Sequence, residues 1–337
     1  MTGEILRRLA FLPVTLFAVA TLVFLTLRAL PGSTVDMLAS QFSTAGLRDQ
    51  LIAQLGLDRS LWEQYLIYMS ELIRLDLGRS FITGKDVSVM VWETLPVTIE
   101  LAVASLIVML IAGLGMALAA AARPGSILDG ALRFIAMTLF ALPWFWFGIL
   151  LILVFSLWLD WLPAFGRLPS SVTYEPITNF VLIDAILQGR PDLIRPWLTH
   201  LILPSLTVGL TTAGVLMRLA RSGIIETSKL DFVRTARMKG VPGRRIYLRH
   251  ILRNAALGIL TVIGLQFGAM LGGSVIAEVV FGYPGIGRMM VDAVLTRDYA
   301  VAQGAALVLA VFYVLVNLAT DLAYRWADPR LRRKPGR

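Results

Sequence analysis

The stretch from Gly78 to Asp86, GRSFITGKD, is the nearest this chain comes to a phosphate-binding loop, in which glycines free backbone N–H groups to cradle phosphates. Five residues separate its glycines where that loop has four, and Asp86 stands where a Ser or Thr would hold Mg²⁺. A hairpin-like turn is the better reading. Nucleophile and metal chemistry lack their parts as well. There is no cysteine, which removes thiolate metal sites, disulfides and Cys nucleophiles. There are only two histidines, His200 and His250, and no HExxH or GxSxG pattern occurs, which makes a His-based metal site or a Ser–His triad hard to build. His200 reads as a residue at a membrane edge, and His250 as a polar contact near a helix start.

Carboxylates inside a bilayer are expensive and are kept for ion or proton coupling. Here Glu100 and Glu278 lie at the ends of apolar runs, and no acid lies at mid-depth. Glu278 reads as an interfacial, solvated acid, the alternative being a lining of a translocation path. This weakens a secondary carrier, which would also show inverted half-repeats, and an intramembrane enzyme lacks a nucleophile–base pair.

The elements that must position these residues are apolar. With 57% hydrophobic and 16% charged residues and a mean hydropathy of +0.74, the chain has too little polar surface for a soluble domain and belongs in a bilayer. A hydrocarbon core of about 30 Å takes roughly 20 apolar residues as helix. Six runs qualify: Leu9–Leu27, Leu101–Ala122, Phe134–Leu159, Leu201–Met217, Ala255–Ala277 and Tyr299–Thr320. The first reads as an uncleaved anchor, because Arg28 closes it and no small-x-small cleavage site follows. With the N-terminus inside, the inner segments hold about 20 Lys/Arg and 6 acids and the outer ones about 11 and 15. The net charge of +9 is then mostly topological and does not call for nucleic acid. Both termini are expected in the cytoplasm, the inner groups including Arg7, Arg8, Arg123, Arg133 and the tail from Arg325.

Outside, residues 31–95 carry an amphipathic run at Leu61–Leu75, residues 160–199 hold five prolines and read as loop with short helices, and FGYPGIG within 278–298 forces turns. Inside, residues 218–253 carry ten Lys/Arg against two acids. Within this segment Asp231 is placed to cap a short helix. Phe232, Val233 and Ala236 form a narrow apolar stripe with Arg234, Thr235, Arg237 and Lys239 facing elsewhere, Gly240 supplies a left-handed stop, and Pro242 fits just inside the next helix. In the fifth run Gly264, Gly268 and Gly272 recur every four residues, with Gly273 adjacent. Such a small-residue face lets another helix approach, within the bundle or across a subunit interface.

The loop DFVRTARMKG…RHILRNA resembles the EAA-type loop of ABC importer permeases of the dipeptide/oligopeptide group. LRALPGS, LGLDRSLWEQYLIYM, LDLGRSF, LPVTIELA, ALPWFWFG and AEVVFGYPGIGRMMVDAVLTRDY follow the same pattern in order along nearly the whole chain. The resemblance implies an all-α, six-span, type I ABC importer permease in a bacterial or archaeal cell membrane, without enzymatic activity. It places Arg234, Thr235 and Ala236 where the generic Glu-Ala-Ala stands, with Gly240 as the family glycine. ATPase coupling would fall on Asp231, Phe232, Arg234, Thr235, Ala236 and Gly240. It further implies a second homologous permease, cytoplasmic ATPase subunits that bind ATP and Mg²⁺ in place of any cofactor here, and an extracytoplasmic solute-binding protein. Ser33, Gly258 and Ala300 depart from the pattern, standing in place of an Asp, a proline and a proline. The expected organisation is an anchor with an external segment over 1–93, a permease domain over 94–325, and a basic tail over 326–337.

Overall fold

A computed structural model describes residues 2–29 and 58–327. The LRALPGS motif beyond Ala29 with Ser33, the part of the segment expected outside up to residue 57, and the tail from residue 328 lie outside the described residues. Within them the secondary structure is helical apart from one isolated bridge, Arg79 to Asp86. The helices are α1 Thr2–Ala29, α2 Leu61–Ile73, α3 Val87–Ala122, α4 Ile127–Ala141, α5 Trp144–Trp158, α6 Val181–Leu187, α7 Ile194–Ser228 and α8 Asp231–Met238. After these α9 starts at Gly243–Arg245 and continues as Leu252–Val280, followed by α10 Ile286–Leu295 and α11 Tyr299–Ala327. π-Helical turns interrupt α3 at Leu110–Leu114, α5 at Ile152–Trp158 and α9 at Ile246–Ile251. Among the described residues four helices are long and apolar enough to cross a bilayer, and the number rises to six when each of two bent pairs counts as one span.

Two of the expected spans differ in detail. The third is not one rod: α4 and α5 meet at 106°. Pro143 caps α5, and Leu142 before it is extended at ψ 130, as the clash of a proline ring with the preceding residue requires. The fourth, expected over Leu201–Met217, is a helix of 35 residues, about 52 Å at 1.5 Å per residue. Pro196 sits in its first turn, where a missing N–H costs nothing, and the helix runs on through Arg218 and Arg221, whose neighbours Ala220, Ile224 and Thr227 are buried. The basic segment therefore begins as helix.

The chain forms two compact units that do not follow its linear order. Ile99–Tyr283 and the residues from Tyr313 make one, and Thr2–Thr98 with Pro284–Phe312 make the other. The division expected at residues 93 and 94 leaves 284–312 on the permease side, whereas that segment packs with the N-terminal residues.

In the first unit α7 is the most enclosed candidate span, 78% of its apolar window being buried. Its hydroxyls turn back on the helix, Thr207 to Leu203 O at 2.9 Å and Thr212 to Val208 O at 2.7 Å, so polar residues lie in the interior without orphaned groups. Two glycines allow close approach: a Cβ on Gly209 would meet Ser105 O at 2.7 Å, and one on Gly214 would strike Ala136 O. The helix α9 ends in a Schellman turn, with Gly282 at φ 57, its N–H donating to Val279 O at 3.3 Å and Tyr283 N–H to Glu278 O at 2.8 Å.

In the second unit Ser60 and Glu63 form a reciprocal capping box at the start of α2. The Gly78–Asp86 stretch closes as a turn, Ser80 N–H donating to Lys85 O at 2.9 Å and Val87 N–H to Gly78 O at 3.0 Å, which is the hairpin-like reading. Ser80 Oγ donates to Asp298 Oδ2 at 2.6 Å and ties this turn to the start of α11. Val87, Val91, Ile286, Ala293, Val301 and Ala305 form its core. The ten-residue helix α10 was expected only as a turn. Ile286, Met289, Met290 and Ala293 carry its helical spacing, masked by the preceding glycines and proline.

Candidate functional site

The helix α8 is held by its ends and its inner face. Leu230, extended at ψ 149, occupies the N-cap without a side-chain bond, so Asp231 is the first helical residue and not the cap expected of it. There its charge favours the positive end of the helix dipole, and its carbonyl accepts from Thr235 Oγ1 at 3.0 Å. At the other end Gly240 takes φ 72. Gly240 N–H donates to Arg237 O at 3.0 Å and Val241 N–H to Ala236 O at 3.2 Å, the paired bonds of a Schellman turn. Pro242 is the N-cap of the next helix, one residue before the position expected.

Val233 and Ala236 point inward and join Ala121 of α3, Ile224 of α7, and Ile246, Ile251 and Ala255 of α9 in one buried cluster. Tyr247 Oη donates to Leu118 O at 3.1 Å beside it. Phe232, expected in the same stripe, stands one turn before Ala236 on the same side of the helix, but it is 38% exposed and lies outside the buried cluster, at the edge of the stripe. Arg234, Thr235, Arg237, Lys239 and Gly240 are exposed. The exposed surface of α8 thus carries single apolar side chains, Leu230, Phe232 and Met238, among basic ones.

Two buried ion clusters, not anticipated as sites, brace the same unit. Asp129 is 1% exposed at its side chain and accepts from Arg221 Nε and Nη2, both at 2.7 Å, and from Gly125 N–H at 2.9 Å. Ser126 Oγ accepts from Asp129 N–H at 3.2 Å and caps α4. The Ser-x-x-Asp spacing was a visible helix-start signature, but nothing in it names the distant arginine. Inside α3, Glu100 accepts from Arg167 Nη2 at 2.7 Å, Trp197 Nε1 at 3.1 Å and Val181 N–H at 2.7 Å. Glu278, expected to be solvated, is wholly buried, because the Schellman turn folds Phe281 and Tyr283 inward beside the helix end. His200 is also buried, its Nδ1 2.8 Å from Pro196 O.

The glycines of α9 part company. A Cβ on Gly264 would strike Thr320 of α11, and one on Gly268 would meet Asn317 Oδ1 at 3.2 Å and Tyr313 Cε2 at 3.3 Å. Gly272 has open space, whereas its neighbour Gly273 lies against the Trp144 ring. The close face within this unit therefore uses Gly264, Gly268 and Gly273.

Apolar spans on a long buried helix, with a capped, basic-faced helix wedged at one end of that bundle, define the class: a multi-pass helical membrane protein built as a permease subunit. Residues 109–333 match the family described as binding-protein-dependent transport system inner membrane component, and residues 1–102 match its N-terminal counterpart. The chain belongs to this family and is a permease subunit of an ABC importer of the inner membrane. It is similar to the di/tripeptide transport system permease protein DppB of Pseudomonas aeruginosa, 37% identical over 333 residues, covering 98% of this chain and 99% of that protein. The dipeptide transport system permease protein DppB of Escherichia coli is 37% identical over 342 residues, with 99% and 100% covered. The protein of the same name from Alkalihalophilus pseudofirmus is 35% identical over 333 residues, with 98% and 100% covered.

Proposed function

We propose that this permease carries peptides or similar small solutes and that α8 couples the bundle to ATP hydrolysis in cytoplasmic ATPase subunits. The substrate class follows the relatives, whose names record transport of dipeptides and of di/tripeptides. The termini and α8 are assigned to the cytoplasm by the excess of Lys/Arg in the segments that share their side. The remaining parts of the machine are a second homologous permease, a solute-binding protein outside, and ATP with Mg²⁺ held by the ATPases.

The observation that carries the coupling role is the two-faced packing of α8. Val233 and Ala236 are set into a cluster fed by α3, α7 and α9, while Phe232 at the edge of that stripe, and Leu230 and Met238 at the helix ends, are exposed among Arg234, Arg237 and Lys239. An exposed apolar stud in a basic frame suits an apolar groove with an acidic rim, a helix-in-groove contact. Closure of ATPase subunits on the outer face displaces α8, and the packed inner face hands that displacement to three spans at once, biasing the bundle between two arrangements.

The test is co-purification of the assembled transporter and solute-stimulated ATP hydrolysis. Phe232→Ala removes the stud without touching the cluster and is expected to weaken ATPase association roughly tenfold, ~1.4 kcal/mol, as for an interface anchor. Ala236→Arg forces a charge into the cluster, and Gly240→Pro cannot adopt φ 72. Both are expected to uncouple hydrolysis from transport. Undiminished association and transport in all three variants would sink the assignment.

A further inference from the structure

Five buried side-chain polar atoms among the described residues have no hydrogen-bond partner, and three of them, Arg28 Nε, Gln64 Oε1 and Tyr68 Oη, belong to side chains lining one pocket of about 310 Å³. Buried polar groups are ordinarily paired, so three such orphans around one small cavity mark a place shaped for something polar. The groups are held in place. The Arg28 guanidinium lies 4.5 Å from the Tyr299 ring centroid and 5.5 Å from that of Phe24. Phe24 in turn stacks on Tyr68 at 5.6 Å. Gln64 spends its Nε2 on Arg59 O at 2.9 Å, which fixes the amide with its carbonyl oxygen unpaired. Glu71, Arg59, Arg79 and Gln303 also line it, and the Arg79 guanidinium is paired with Asp86 at 2.9 Å.

The lining offers both a donor and acceptors. Arg28 offers a charged N–H donor that calls for an anion, whereas the Gln64 carbonyl and the Glu71 carboxylate call for a cationic donor, and the Tyr68 hydroxyl serves either. The volume falls at the small end of ligand pockets, roughly 300–1,000 Å³. Arg28 and Tyr299 stand at the ends of the apolar windows Leu12–Ala29 and Tyr299–Thr320, which sets the pocket at the membrane–water boundary. We propose that this pocket binds a compact zwitterion, its anionic group on Arg28 and Tyr68 and its ammonium group on Gln64 and Glu71. A free amino acid or short peptide and the headgroup of phosphatidylethanolamine present this same chemistry at that depth. The site is independent of which solute the permease carries.

Two arms separate the sources. In the first, the assembled transporter in phosphatidylglycerol nanodiscs is titrated calorimetrically with glycylglycine, with N-acetylglycine as the anion alone and with glycinamide as the cation alone. In the second, it is exposed to equal phosphatidylethanolamine and phosphatidylglycerol and the retained lipid is counted by native mass spectrometry. A preference for the zwitterion of about tenfold or more is expected in one arm, and that arm names the source. The preference is expected to fall about tenfold in Arg28→Gln and in Gln64→Leu, and by less in Tyr68→Phe, which keeps the ring stacked on Phe24. No zwitterion preference in either arm would overturn the proposal. So would a preference that persists in all three variants, since the ligand would then occupy another site, such as the path taken by transported solute.

Discussion

Removing Asp129 should loosen the permease far more than removing an exposed acid, and the loss should be shared with Arg221. The carboxylate is 1% exposed and the arginine 19%, and two 2.7 Å bonds join them. Asp129→Ala strands a guanidinium that retains some access to water and frees the Gly125 N–H. This sets the loss at about 3 kcal/mol, the lower end of the range for breaking a buried pair. Arg221→Ala leaves the carboxylate with the Gly125 N–H at 2.9 Å and with Arg133 Nε at 3.5 Å, so about 3 kcal/mol is expected there too. The double variant removes both charges together and should lose about 3–4 kcal/mol, well short of the sum, a coupling of about 2–3 kcal/mol. The chain has eight tryptophans, so intrinsic fluorescence in nanodiscs reads the apparent unfolding midpoint. At about 2–4 °C per kcal/mol, each single change should lower it by about 6–12 °C and the double change by about 6–16 °C. Strict additivity, or single losses of less than about 0.5 kcal/mol as for an exposed pair, would refute the reasoning.

Glu100→Gln presents an amide NH₂ to a shell made of donors, the Arg167 guanidinium, Trp197 Nε1 and Val181 N–H. It should destabilise by about 2–3 kcal/mol and shift the emission of Trp197, measured in a variant retaining only that tryptophan. Gly264→Val should separate α9 from Thr320 of α11 and lower the unfolding midpoint by several degrees, about 1–3 kcal/mol of overpacking, while Gly272→Ala, facing open space, should fall within about 0.5 kcal/mol of the parent. The N–H and hydroxyl of Ser60 hold the Glu63 carboxyl below its ordinary value. A depressed folded value means the cap stabilises fully above the unfolded value of about 4.3 and fades as pH falls through the folded one. Hydrogen-exchange protection in the first turn of α2 should therefore drop in acid, and Glu63→Ala should abolish that pH dependence.

The spans were legible because hydrophobicity over some twenty residues is a property of the chain alone. Where a span bends or stops was less so. Pro143 announces a break, but its 106° angle is decided by what α4 and α5 pack against. The length of α7 was hidden because Arg218 and Arg221 read as loop residues, whereas Arg221 is helical and answers to Asp129, 92 positions away. At the candidate site, Gly240 was readable because a glycine directly after an amphipathic turn lets the backbone enter the left-handed region and end the helix without steric cost. How deeply Phe232 sits was not, since the three residues of the stripe share one arc of about 100° and only the cluster around Ile224 and Ile246 centres the buried part of it on Val233 and Ala236. Glu278 was misjudged for a related reason: burial at a helix end depends on where the chain turns next, and Tyr283 turns it inward.

The π-helical turn at Ile246–Ile251 makes chain length a variable in its own right. Each backbone step in a helix adds about 100° of rotation, and a π turn takes up residues without a matching advance in phase. Deleting one residue from this turn would restore a regular helix with the remainder of α9 in nearly the same phase and Gly264 and Gly268 still facing α11, whereas deleting one from the regular helix between Leu252 and Gly264 would swing them away by about 100°. The π turn thus acts as a slack link ahead of the span that follows. The loss of a single residue should be tolerated inside it, and selected against in the regular helix beyond Leu252, where every residue sets the direction of the glycine face.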